Sequence, residues 1–268
     1  MRRFGMILLS MSLVVAIAMM AGLAQAKSLD DILKAGEIRV GINPTLPPLG
    51  VFNEKNEIDG FDKDVAQAIA DALGVKLNIV KVGSPDRIPF VASDKIDFVM
   101  GAMTRNPKRA QIIDFTLPVH TEVFGVLTTA ENKRDHWKDY NDAGITLVQV
   151  RGTTPVPFIK ENLPEAKVLL LDNYPDVIRA IAQGRGQAMV DVVDFMWGHT
   201  ATHKNVNWEV VKTPVNVYFC CLGVAKGNYS LRDWLNVELF ELHRNGKIDE
   251  FWEKWFGGAM VFKVPATA

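Results

Sequence analysis

The order of apolar and polar positions along the chain predicts alternating strands and helices. Segments 38–42, 77–82 and 96–100 are short, apolar and rich in β-branched residues, which is typical of buried strands. Between the first two, apolar residues recur at helical spacing through 62–73, and Gly74 can end that helix. Strands that alternate with helices indicate an α/β architecture with parallel strands.

The same order begins again in the second half of the chain. Strands are predicted at 145–150, 168–171 and 188–190, with one helix beginning after Gly152 and another at 176–183. A further strand, 217–225, follows this unit and precedes two helices near the C-terminus. We therefore predict a second α/β unit, at about 128–216, inserted within the first. Tryptophans at helical spacing in the last helix are expected to pack in the core.

The N-terminus has the three parts of a secretory signal peptide. Arg2 and Arg3 are followed by the apolar run 6–22 and by Ala24-Gln25-Ala26, with small residues where a signal peptidase cleaves. The alternative is a membrane anchor, since about 20 apolar residues can span a bilayer. The small residues favour cleavage after Ala26 and export to the periplasm.

Charge and cysteine content exclude several classes of protein. Removal of residues 1–26 leaves 28 basic and 31 acidic residues, a net charge of −3 with no basic cluster, so nucleic acid is not an expected partner. Cys220 and Cys221 are adjacent and cannot readily form an unstrained disulfide with each other. They are expected to be small apolar residues on a buried strand, and we predict no metal site and no cofactor.

Two loops carry residues suited to binding an anion. Thr104 and Arg109 follow a predicted strand, and the planar fork of an arginine pairs with both oxygens of a carboxylate. Thr153 and Thr154 precede Pro155 at a predicted helix start, where N–H groups and the helix dipole favour negative charge. A surface arginine and an ordinary helix start are the alternatives.

Five short motifs, taken in order, give a resemblance to a known family. Gly60-Phe-Asp-Lys-Asp64, Thr104 to Arg109, Asp114-Phe-Thr116, Gly152-Thr-Thr154 and Lys254-Trp-Phe-Gly257 together resemble the family 3 extracellular solute-binding proteins, the polar amino-acid receptors of ABC importers. The resemblance runs from Leu29 to Gly257. It implies a type II periplasmic binding protein fold, in which two α/β lobes are joined by two hinge strands near 123–127 and 217–221.

The resemblance also implies lobe bounds and a ligand site. Residues 27–126 and 219–268 would form the discontinuous lobe 1, and residues 127–218 the inserted lobe 2. Ligand would lie in the cleft between them. The ligand-binding set carried over from the family is Arg109 and Thr104 for the α-carboxylate, the Ala102 carbonyl for the α-amino group, and Thr153 and Thr154 from lobe 2.

This chain departs from the family at positions that select the ligand. Val192 stands where relatives have the acid that binds the ammonium, so Asp191 is the first substitute and Asp194 the second. Asn43 replaces the aspartate of receptors for basic amino acids, whereas Arg87 matches an arginine of receptors for acidic ones. We therefore expect a polar neutral or acidic amino-acid-like ligand.

The function expected from these features is capture of a small amino acid or related carboxylate by a monomer that feeds an ABC permease in the inner membrane. Two alternatives remain. One is an enzyme similar to cyclohexadienyl dehydratase on the same scaffold, with an acid in the cleft. The other is a soluble sensory receptor that docks to a membrane sensor.

Overall fold

A computed structural model describes residues 26–211 and 215–265. The predicted signal peptide, apart from Ala26, lies outside these residues. The described part begins with a helix, Leu29–Ala35, whose N-terminus is closed by Ser28 and Asp31 in a reciprocal capping box. In the described ranges there is no helix with the length and apolar character needed to cross a bilayer.

The strands and helices are numbered here in chain order. The strands are β1 (Glu37–Ile42), β2 (Val51–Phe52), β3 (Ile58–Asp59), β4 (Lys76–Lys81), β5 (Phe98–Val99), β6 (Ile113–Thr129), β7 (Thr146–Val150), β8 (Lys167–Leu171), β9 (Ala188–Val192), β10 (Trp208–Val211) and β11 (Val217–Ala225). The α-helices are α1 (Leu29–Ala35), α2 (Phe61–Leu73), α3 (Arg87–Ala92), α4 (Pro107–Ala110), α5 (Pro155–Asn162), α6 (Tyr174–Ala182), α7 (Val193–Thr200), α8 (Tyr229–Arg244) and α9 (Lys247–Phe256).

Strand pairing divides the main sheet into two halves. The strand order is β4-β1-β5-β11-β6-β9-β7-β8, with β10 also paired to β6. The first half contains β1, β4 and β5, and the second contains β7 to β10. Within each half the strands linked by helices are parallel, as in β1–β4 and β7–β8.

One long strand crosses from the first half to the second. β6 has 17 residues, and its segment 113–123 pairs antiparallel with β11. Further along, 124–128 pairs with β9. The sequence suggested only a short hinge strand at 123–127, whereas β6 begins at Ile113 and is continuous through that region. The element bounds fit lobes joined by β6 and β11, and the exact lobe limits remain a prediction.

The remaining predicted elements have the expected type; their ends agree with the prediction or differ by one or two residues, and the strand 217–225 matches at both ends. Helix α7 and strand β10 lie between the predicted strands 188–190 and 217–225 and were not anticipated. Cys220 and Cys221 are buried and free on β11. Trp252 is buried and stacks on Phe256 at 3.8 Å between ring centroids, so it packs within the core.

Candidate functional site

The loop that follows the carboxyl end of β5, a strand inside the sheet, is held in a tight backbone conformation. Gly101 has φ +76° and Ala102 has φ +56°, a region that favours glycine. The buried carboxyl of Asp62, in the first turn of α2, accepts a hydrogen bond of 2.8 Å from the Gly101 N–H. Asp62 thereby fixes the start of the loop that carries Thr104.

Arg109 is placed by the cap of the short helix α4. The Asn106 side chain accepts from the Arg109 N–H at 2.9 Å, and Pro107 occupies the first turn. The Arg109 guanidinium donates to the carbonyl of Thr104 at 2.7 Å and to that of Gly152, in the second half, at 2.9 Å. Burial lowers the pKa of Arg109 to about 10, which leaves it charged at neutral pH.

Hydroxyl groups from the two halves meet beside Arg109. The Thr154 hydroxyl donates to Thr104 Oγ1 at 2.8 Å, and the Thr104 hydroxyl donates to Glu122 Oε2 at 2.8 Å. Thr153 instead donates to the Val150 carbonyl at 2.7 Å and holds the loop before α5. The hydrogen bonds of Arg109 and Thr154 therefore connect the two halves of the sheet directly.

A small cavity of about 10 Å³ lies at this junction, with room for roughly one water molecule. It is lined by Arg87, Ala102, Thr104, Glu122, Phe124, Thr153, Thr154, Pro155, Tyr174 and Asp191. Arg109, Asn43 and Asp194 from the sequence-predicted set are not among the lining residues, although Arg109 binds the carbonyl of Thr104.

The side chains of Arg87 and Asn43 form hydrogen bonds to loops of the protein itself. The Arg87 guanidinium donates to the carbonyls of Ser84 at 3.1 Å, of Ala102 at 2.8 Å, and of Gly101. Burial lowers the pKa of Arg87 from its usual value. Asn43 donates to Ser84 Oγ at 3.1 Å and accepts from the Thr45 N–H and hydroxyl. The Ala102 carbonyl predicted for an α-amino group is therefore bonded to Arg87 in this conformation.

The two predicted acids of the second half have different surroundings. Asp191 lines the cavity, and its Oδ1 accepts from the Val192 N–H at 2.8 Å while its Oδ2 lies 3.1 Å from Nε2 of His199. The His199 ring stacks on Tyr174 at 4.7 Å. Asp194 lies at the start of α7, where its carboxyl interacts with the Val261 backbone and burial raises its pKa.

Glu122 is the acidic residue of the cavity lining that sequence reasoning missed. It lies near the middle of β6 and is 2% exposed. The signal was present in the sequence, because Glu122 is the single acid within the apolar run 117–128. A lone acid in a buried strand is rare unless a partner or a function requires it.

Burial raises the pKa of two carboxyl groups, those of Glu122 and Asp62. The pKa of Glu122 rises from 4.5 to about 7, against opposing hydrogen bonds from Cys220 and Thr104. The pKa of Asp62 rises from 3.8 to about 7 for the same main reason, with the Gly101 hydrogen bond opposing it. Of these two groups Glu122 lines the cavity, so one carboxyl group in the cavity changes its protonation near neutral pH.

The described residues contain no cluster of three or more histidine, cysteine or acidic side chains arranged to hold a metal ion. The arrangement is instead one of charge and hydrogen bonds: a buried arginine, two threonine hydroxyls, a helix N-terminus and two carboxyl groups. Such a set can bind a small zwitterion.

Comparison with known proteins identifies one family model and several related proteins. The model of the bacterial extracellular solute-binding proteins, family 3, matches residues 38–258. The ABC transporter glutamine-binding protein of Bacillus subtilis is 29% identical over 242 residues, which cover 87% of this chain and 88% of that protein. The cyclohexadienyl dehydratase of Pseudomonas aeruginosa is 27% identical over 169 residues, 62% of this chain and 63% of the enzyme.

A solved structure supports the fold. The solute receptor for L-cysteine of Neisseria gonorrhoeae has a TM-score of 0.80 and 27% identity, and the match covers 85% of this chain and 93% of the receptor. The expected type II periplasmic binding protein fold is thus confirmed. Because the family model matches residues 38–258, most of this chain, the chain belongs to the family 3 bacterial extracellular solute-binding proteins.

Proposed function

We propose that this protein captures a small amino acid in the cleft between its two halves and presents it to an ABC permease. The observation that carries the proposal is the convergence of Arg109 and Thr104 with Thr154 and the N-terminus of α5. These groups come from opposite halves, so a ligand carboxylate held by all of them would join the halves together.

The ligand carboxylate would accept hydrogen bonds from donors that now bond to other groups of the protein. Arg109 would turn its donors from the Thr104 and Gly152 carbonyls toward the carboxylate, and Thr154 would release Thr104 Oγ1. Because the present cavity is only about 10 Å³, the halves must separate for a ligand to enter. Bending in β6 and β11 would provide this hinge motion.

The hydrogen bonds of Arg87 indicate which amino-acid side chain the site prefers. This guanidinium already donates to three backbone carbonyls, so an acidic side chain would have to break loop hydrogen bonds to reach it. We therefore favour a polar neutral amino acid over an acidic one. The related proteins named above for glutamine and L-cysteine take ligands of that class.

The cellular setting is proposed from the family and from the N-terminal sequence. An exported monomer would lose residues 1–26 and act in the periplasm, with its permease in the inner membrane. Mass spectrometry of protein expressed with its own N-terminal segment should find Lys27 as the first residue. Retention of residues 1–26 on a membrane-bound product would favour an anchor instead.

The proposed function is tested by thermal-shift measurements with the twenty L-amino acids. A ligand that binds only the folded state raises the melting temperature by mass action, by an amount that grows with its concentration. At least one polar neutral amino acid should stabilise the protein clearly more than acidic or basic ones. Absence of stabilisation by all twenty would overturn the proposal.

A second candidate, dehydratase activity, is favoured by one observation. Glu122 is a buried acid in the cleft with a pKa of about 7, which suits a general acid at neutral pH. Incubation with prephenate, a cyclohexadienyl compound, distinguishes the two functions by product formation. We expect no turnover, and turnover that Glu122→Gln abolishes would establish the enzyme.

A further inference from the structure

We propose that Glu122 is the carboxylate that receives the ligand's ammonium group and so restricts the site to ligands with a free amine. This inference rests on the proposed function, because it assumes that an amino acid binds in the cleft. It assigns the ammonium to an acid on the strand that joins the two halves, rather than to Asp191 or Asp194 in the second half.

The first reason is that the other two acids are already engaged. One oxygen of Asp191 accepts the Val192 N–H and the other lies 3.1 Å from His199 Nε2, so an ammonium would compete with both. Asp194 interacts with the Val261 backbone and is absent from the cavity lining. Each oxygen of Asp191 therefore already has a nitrogen partner, and Asp194 lies outside the cavity lining.

The second reason is the surroundings of Glu122. Its carboxyl is 2% exposed and lines the cavity, and its hydrogen-bond donors are the neutral hydroxyl of Thr104 and the thiol of Cys220. Among the described residues no lysine, arginine or histidine nitrogen lies within 4.0 Å of it. A buried carboxylate without a cation is costly, so a cationic ligand group is the natural partner.

The third reason is the position of Glu122 relative to the proposed carboxylate site. Thr104 connects the two, since it donates to Glu122 and accepts from Thr154. The guanidinium of Arg109 binds the carbonyl of the same Thr104. An α-amino acid carries its ammonium one carbon away from its carboxylate. Glu122 and Arg109 both bond to Thr104, so the two side chains are close enough to pair with the two charged groups of one zwitterion.

Other ionisable groups act on Glu122 from each neighbouring element. Burial is the main cause that raises the pKa of Glu122 to about 7; Asp191 on β9 adds to the rise, and Arg87 on α3 opposes it. The remaining groups whose charges couple to Glu122 are Arg109, Tyr174, Cys220 and Cys221. If the ionised form binds the ammonium, amino-acid affinity falls as pH falls below this pKa.

The test compares each amino acid with the acid that lacks its α-amino group. L-Glutamine is paired with glutaramate and L-cysteine with 3-mercaptopropionate, in calorimetric titrations of wild type, Glu122→Gln, Asp191→Asn and the exposed control Glu131→Gln. Any other L-amino acid that binds is paired in the same way. We expect Glu122→Gln to weaken amino-acid binding by at least about 30-fold and to abolish the preference over the deamino acid.

Asp191→Asn and Glu131→Gln should keep that preference. Retention of the preference by Glu122→Gln would overturn the inference while leaving the proposed function intact. Failure of every L-amino acid to bind wild type would instead overturn the proposed function, and the inference with it.

A second measurement needs no variant. Between pH 7 and pH 5 the wild-type affinity for the amino acid should fall by up to about 50-fold, since about half of Glu122 is ionised at its pKa of about 7 and about one hundredth at pH 5. Affinity for the deamino acid should not fall. Equal pH dependence for both members of a pair would overturn the inference.

Discussion

At the scale of single residues, the cleft is organised around polar groups that the chain buries at a cost. Glu122, Arg87 and Arg109 are each at most 9% exposed, and most of their partners are uncharged. Removing a charged group from water is unfavourable unless another charge or several hydrogen bonds compensate it. On the proposed function, the protein holds these side chains in place for a ligand at the expense of its own stability.

This cost predicts that Glu122→Gln stabilises the ligand-free protein at alkaline pH. Because burial raises the pKa of Glu122 from 4.5 to about 7, the folded state binds a proton that the unfolded state has lost, and stability falls as pH rises through this window. Glutamine carries no charge in either state. At pH 8 the variant should melt higher than wild type by on the order of 5 °C.

At pH 4.5 the two proteins should melt at similar temperatures, because Glu122 is then protonated in the folded state. Glu131→Gln, at an exposed position, is the control and should match wild type at both values. Some loss of stability with rising pH should remain in the variant, since the pKa of Asp62 is also about 7. A variant that melts below wild type at pH 8 would contradict this account.

At the scale of elements, the loops at the carboxyl ends of β4 and β5 approach the loop after β7 across the cleft. Gly152, which follows β7, has φ +78°, and a methyl group there would lie 3.1 Å from the Cα of Pro85 in the first half. Gly198 in α7 similarly faces the carbonyl of Pro47, 2.9 Å from where its Cβ would be. Glycines at these contacts let the halves come close enough to form the hydrogen bonds of Arg109 and Thr154.

Gly152→Ala therefore should impair closure as well as stability. Its matched control is Gly184→Ala, with φ +71° and open space around the added methyl. Both variants acquire backbone strain of about 1–2 kcal/mol, so both should melt at lower temperature. Only Gly152→Ala should also weaken amino-acid binding, by roughly tenfold, in calorimetric titration. Equal affinities for the two variants would show that this contact does not limit closure.

The sequence predicted the repeated strands and helices of each half because their apolar spacing is regular. It did not predict that β6 runs unbroken from Ile113 to Thr129, since this strand lies in both halves and is buried almost throughout, which removes the alternation that marks a strand. Such a run gives no sign of where one half ends.

In the site, too, the sequence predicts the residues that belong to local motifs but not the contacts that depend on the tertiary structure. Thr104, Thr154 and Arg109 belong to motifs that the sequence displays, and the structure brings them together. Arg87 and Asn43 were predicted at ligand-facing positions, but which loop carbonyls and hydroxyls they bond is set by tertiary contacts. Glu122 escaped notice because its role depends on strands β9 and β11 beside it, and no local motif marks it.

At the scale of the whole molecule, the strands β6 and β11 connect two α/β halves whose facing loops carry complementary parts of one site. In the described conformation Arg109 bonds to Gly152 and Thr154 to Thr104, contacts that the proposed hinge motion would break and re-form. A ligand carboxylate inserted between these groups would favour the closed form through differential contacts, which is the requirement for ligand-driven closure. A permease could then distinguish loaded from unloaded protein by shape.

The central claim is that Arg109 binds the carboxylate of an amino acid in this cleft. Isothermal titration of wild type, Arg109→Ala and Lys108→Ala with the amino acid that stabilises the protein most tests it directly, since Lys108 is exposed on the same short helix. We predict that Lys108→Ala keeps the wild-type Kd and that Arg109→Ala weakens binding by about 3–5 kcal/mol, at least 100-fold. Unchanged affinity in Arg109→Ala would contradict the account.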